Sequence, residues 1–141
     1  MNEQIKAPKG IKIIAGLMFI IGLIMTFLQI GFLAGTVPLK GSESYKIVCY
    51  ASAIAEATFI GPLFIIAGIG LWKIKEWGLF IALIAFGARI SMDVIWTPMY
   101  IMFARDGATT YDVIWDIITI CIVIFAIISI VYFWRNKKGF V

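Results

Sequence analysis

The chain has no histidine and only two cysteines, and just 14% of its 141 residues are charged. Without histidine there is no imidazole metal site, no His-ligated haem and no Ser-His or Cys-His nucleophile. Cys49 and Cys121 form no C-x-x-C pair, so a thiol oxidoreductase is not indicated and both are read as small apolar packing residues. No glycine-rich loop of phosphate-binding spacing occurs, because Gly68 and Gly70 lie inside an apolar run. The net charge of +4 lacks the clustered basic face that nucleic acid requires, so no nucleic-acid partner is expected. An enzyme would have to work with carboxylates alone or admit a lipid substrate sideways. No cofactor, no metal and no catalytic activity are therefore expected.

What is present is apolar. Hydrophobic residues make up 62% of the chain and the mean hydropathy is +1.02, whereas a globular domain is about 45–50% apolar and about a quarter charged. Such a chain needs a bilayer. Four long runs stand out, 11–34, 47–72, 77–103 and 111–134, and each spans about 36–40 Å as a helix against a hydrocarbon core of roughly 30 Å. Unpaired backbone cannot face lipid, so the runs must be helices. The expected fold is all-α: one domain, a polytopic four-helix antiparallel bundle. The run that follows Lys6, Lys9 and Lys12 is too long for a signal core of about 7–15 residues, and it is read as a retained helix.

Orientation follows from the flanks. Lys6, Lys9, Lys12, Lys73, Lys75, Arg135, Lys137 and Lys138 lie at one end of the predicted bundle, and Lys40, Lys46 and Arg105 at the other. The positive-inside rule then places both termini in the cytoplasm of a multi-pass protein of the cell membrane. Trp72, Trp77 and Trp134 at that end, with Tyr45, Tyr50, Tyr100 and Tyr111 at the other, read as an aromatic belt on each interface. Ala53, Ala57 and Gly61, Gly16 and Gly22, and Gly78, Ala82 and Gly87 are small residues suited to close helix contacts. Close packing within the bundle is their default meaning, with a contact in a homo-oligomer or a larger complex as the alternative partner besides the lipids themselves.

The segments Pro8-Lys9-Gly10-Ile11-Lys12-Ile13-Ile14-Ala15 and Gly68-Ile69-Gly70-Leu71-Trp72-Lys73-Ile74-Lys75-Glu76-Trp77 resemble a recurring pattern in small, uncharacterised four-helix membrane proteins of archaea and bacteria. The resemblance implies a prokaryotic integral membrane protein. It brings no activity with it.

Four charges lie well inside the runs: Glu56, Arg89, Asp93 and Asp116. Each costs about 2.5–3.5 kcal/mol near a helix centre, so the third helix is close to break-even and needs partners. Arg89 and Asp93 are one turn apart, which allows an ion pair within that helix. With alternating helix directions the four charges fall between the midplane and the outer face, at about 8–21 Å below the outer end. Thr26, Gln29 and Ser52 join them there, and Trp96 and Tyr100 share the face of Arg89 and Asp93. In the fourth helix Asp112, Asp116 and Thr119 form the matching stripe. The opposite half is nearly free of polar side chains.

Three carboxyls against one guanidinium leave an excess of negative charge, so at least one acid is expected to hold a proton or a cation, and Glu56 is the candidate because its own helix offers no partner. Pro62 removes the hydrogen bond to the carbonyl of Thr58; it either bends the helix or extends the polar region inward. The leading reading is a pocket lined by Glu56, Arg89, Asp93, Asp116, Gln29, Thr26, Ser52, Trp96 and Tyr100. It would bind a proton, a cation or a small polar ligand, with transport or conduction requiring an oligomer. The competing reading is a non-catalytic accessory subunit or scaffold whose charges fix helix register.

Overall fold

The computed structural model describes residues 9–35, 41–103 and 110–136, and every element among them is helical. In order these are α1 (Lys9–Leu33), α2 (Glu43–Ala55), a π-helical turn (Glu56–Ile60), α3 (Gly61–Trp72), α4 (Glu76–Phe103) and α5 (Thr110–Asn136). α2, the π turn and α3 run on as one span of 30 residues, so four helices among the described residues are long and apolar enough to cross a membrane. The protein is a small polytopic membrane protein built as a four-helix bundle. Side chains such as Phe27, Phe59, Phe80, Val94 and Ile128 are exposed around its circumference, as a lipid solvent allows.

The second span begins earlier than its apolar run, at Glu43 rather than residue 47. Its first turn is polar and held locally: the Ser42 hydroxyl caps it by accepting from the Tyr45 N–H at 3.2 Å, and Lys46 pairs with Glu43 at 2.9 Å. Hydropathy cannot register a turn of that kind. Tyr45 does not join an interfacial belt, since it is only 5% exposed, while Tyr50 packs on Phe32 with ring centroids 5.6 Å apart. The side chains of Tyr100 and Tyr111 lie outside the described residues.

Glycines set the closest approaches. A Cβ on Gly22 would lie 2.8 Å from both the Gly61 carbonyl oxygen and the Ile65 amide, and one on Gly68 would lie 2.8 Å from the Ala15 carbonyl oxygen. Pairing 22 with 61 and 15 with 68 runs α1 antiparallel to α3, and backbones meet where side chains would hold them apart. Gly70 meets Gly78 in the same way, at 2.6 Å from a built Cβ to Cα, which closes the α3–α4 hairpin. A Cβ on Gly87, by contrast, would meet nothing of a neighbouring element within 4 Å.

The hairpin turn is a helix stop with an unusual residue. Lys75 N–H bonds to Gly70 O at 3.1 Å and Ile74 N–H to Leu71 O at 2.9 Å, the paired bonds of a Schellman ending. The residue in the left-handed position is Ile74, with φ 55°, where glycine is the usual occupant. Its side chain packs against the core. Lys73 and Lys75 on either side are exposed.

Candidate functional site

The polar centre is assembled from the middle of the bundle. Arg89 lies about 20 Å from either end of α4, and it is only 2% exposed. Its guanidinium reaches three elements: Nη1 donates to Glu56 Oε1, Nη2 donates to Thr119 Oγ1 of α5 at 3.0 Å, and Nη2 pairs with Asp93 Oδ1 at 2.9 Å within α4 itself. From α1, the Gln29 side-chain amide donates to Glu56 Oε2 at 2.6 Å. One network therefore ties all four spans together.

Glu56 is 3% exposed and occupies the first position of the π turn. Its backbone carbonyl accepts from the Gly61 N–H five residues on, the longer-range bond that defines such a turn. Pro62 follows immediately and has no N–H to restore the ordinary pattern. Both carboxylate oxygens of Glu56 accept a donor. As its own helix offers no partner, those of Glu56 come from α1 and α4.

The unpartnered atoms are next door. Asp93 Oδ2 and Arg89 Nε are buried without a hydrogen-bond partner, and the Asp93 side chain is 19% exposed. Asp93 thus lies on the Arg89 guanidinium by one oxygen only, with a bare acceptor and a bare donor beside that contact. Asp116 is exposed on α5, three residues before Thr119. Of the other residues expected at the site, Ser52 and Trp96 are half-buried. The Trp96 indole donates to Met92 Sδ at 3.0 Å, and the Thr26 hydroxyl bonds back to Gly22 O at 2.8 Å. The Tyr100 side chain is not among those described.

Below the network an aromatic layer closes the core. Phe64 and Phe86 meet edge to face at 5.4 Å, and Phe86 and Phe125 at 5.9 Å. Phe86 is one turn from Arg89 on α4, so the rings lie on its hairpin side. Further in that direction the half expected to be nearly free of polar groups holds one: Ser129 is 0% exposed, and its hydroxyl has no partner. Cys121 is exposed rather than packed, while Cys49 is half-buried.

Sequence reasoning missed Thr119 as a direct partner of Arg89, although its stripe on the fourth helix had been recognised by spacing. Ser129 carried no signal, since a lone serine in an apolar run is commonly satisfied by its own helix. No family model, curated protein or solved structure matches the chain. What holds of the expected resemblance is that the protein is a small all-α polytopic membrane protein.

Proposed function

We propose that the Glu56–Arg89–Asp93 centre is a proton-binding site within the bilayer, exchanging its proton at Asp93. The observation that carries this reading is charge: two buried or part-buried carboxyls share one guanidinium, which leaves a formal excess of one negative charge in a medium that disfavours it. Adding a proton to the Asp93 carboxylate gives a neutral acid and a balanced Glu56–Arg89 pair. Asp93 is favoured over Glu56 because one of its oxygens has no partner, whereas both Glu56 oxygens accept hydrogen bonds. A metal cation fits less well, since the guanidinium already occupies the position between the two acids and would repel it. The π turn at Glu56 supports a functional centre, since such turns recur at functional sites.

The lysine and arginine count supports an orientation with both termini in the cytoplasm. Arg89 and its partners then communicate with the outer face, because the Phe64–Phe86–Phe125 layer lies on the inner side. A second reading is favoured by the same network, which reaches all four spans and could serve to lock the bundle as a scaffold. Proton uptake decides between them. In lightly buffered detergent solution, a pH jump with an indicator dye is expected to show about one proton taken up per chain, and Asp93→Asn should abolish that uptake while the helical content stays intact. Unchanged uptake in a folded Asp93→Asn protein would leave the scaffold reading.

A further inference from the structure

The geometry points to the hairpin end of the bundle as a binding surface for anionic phospholipid headgroups. Lys9, Lys12, Lys73, Lys75 and Arg135 are all exposed there, with Glu76 the only acid among the described residues of that end. None of these cations makes an ion pair among the described residues, where the ion pairs are Lys46–Glu43, Arg89–Glu56 and Arg89–Asp93. The contrast with the other end is direct: its Lys46 is already neutralised by Glu43 at 2.9 Å.

The cations are interleaved with Trp72, Trp77 and Trp134, which are 56%, 45% and 73% exposed. Indole rings favour the headgroup level and fix that end at the interface, where the lysine stems can lie along apolar surface and raise their ammonium groups to phosphate. The three helix ends are laterally joined. Trp72 of α3 lies against Gly16 of α1, and a side chain on Gly10 of α1 would meet Tyr132 of α5.

The hairpin itself is shaped for this presentation. Ile74 holds a left-handed conformation, which is costly for a β-branched residue, and it turns inward onto the core. Lys73 and Lys75 are left outward on either side of it. An inward-facing Ile74 between two outward lysines gives a pair of unneutralised cations at a fixed place in the interface. A phosphodiester with net negative charge fits between them, and a zwitterionic headgroup brings its own cation into the same space. Near a membrane surface each such lysine contributes a preference of roughly fivefold for anionic lipid.

The test is lipid-selective quenching of tryptophan emission. The full-length protein is reconstituted into vesicles of phosphatidylcholine containing either brominated phosphatidylglycerol or brominated phosphatidylcholine at the same mole fraction. Stronger quenching by the brominated phosphatidylglycerol is expected, with the preference falling by several-fold in Lys73→Gln/Lys75→Gln and also at high salt. Lys46→Gln at the opposite end should leave it unchanged. Equal quenching by the two lipids in the natural protein would overturn the proposal, as would a preference that survives in a folded double variant. Because the readout is independent of proton uptake, its failure does not touch the reading of Asp93.

Discussion

Replacing Arg89 with leucine tests the energetics of the centre most directly. The substitution removes the donor to Glu56 Oε1, the donor to Thr119 and the partner of Asp93 Oδ1. Glu56 retains Gln29, whereas Asp93 loses the guanidinium that Oδ1 rests on. Breaking one buried ion pair costs about 3–5 kcal/mol. Two are broken here, but they share one guanidinium and the stranded acids can neutralise by taking up protons, so the costs do not add and about 4 kcal/mol in total is expected. Glu56→Gln alone should cost only about 1–2 kcal/mol, because Arg89 keeps Asp93 and the new amide can still bond Gln29. The informative comparison is the sign in the double variant. Glu56→Gln should stabilise the Arg89→Leu protein, since it removes a carboxylate whose counter-charge has gone. Equilibrium unfolding from a mild micelle into a denaturing detergent, followed by circular dichroism, measures all four corners of the cycle. If Arg89→Leu lies within about 1 kcal/mol of the natural protein, or if Glu56→Gln destabilises both backgrounds equally, the buried charges are not coupled as argued.

Two further substitutions test the packing around the centre. In Gly61→Ala the new methyl group runs into the Thr26 hydroxyl and comes within 3.1 Å of the Glu56 carbonyl oxygen; a loss of about 1–3 kcal/mol is expected, partly recovered by adding Thr26→Ala, whereas Gly68→Ala faces the α1 backbone and should have no such rescue. Ser129→Ala removes a buried hydroxyl that has no partner, so the same unfolding assay should show no loss of stability and a gain of up to about 1 kcal/mol; a clear loss would mean that the hydroxyl is engaged.

The four spans were legible because each has only one way to satisfy its backbone in lipid, and length together with hydropathy is enough to find it. The Arg89–Asp93 pair was legible for the same local reason, four residues on one helix face. What spacing within a helix could not supply was partner choice between helices. Glu56 looked isolated along its own helix, yet Gln29 and Arg89 are 27 and 33 positions away in the chain. Asp116 and Thr119 share a stripe, yet Asp116 is exposed while Thr119 is half-buried and accepts from the Arg89 guanidinium, a difference of rotation that composition does not encode. Tyr45 similarly matched an interfacial pattern and turned inward instead.

The π turn sets how the two halves of the second span face the bundle. At the α-helical rotation, the buried residues of α2 (Tyr45, Val48 and Ala53) and those of α3 (Phe64, Ala67 and Leu71) would centre on faces roughly 70° apart. Holding one extra residue in the turn lets the helix lag by about one residue's rotation, roughly 100°, which brings the two faces back toward a common side. The turn therefore has a packing consequence as well as a chemical one. It lets α3 press its glycines onto α1 while α2 still delivers Glu56 to Gln29 and Arg89. A regular helix through the same residues would have to give up either the Gly22–Gly61 approach or the carboxylate's place in the network. Pro62, which cannot donate the bond that would close a regular turn onto Thr58, keeps the span from taking that alternative.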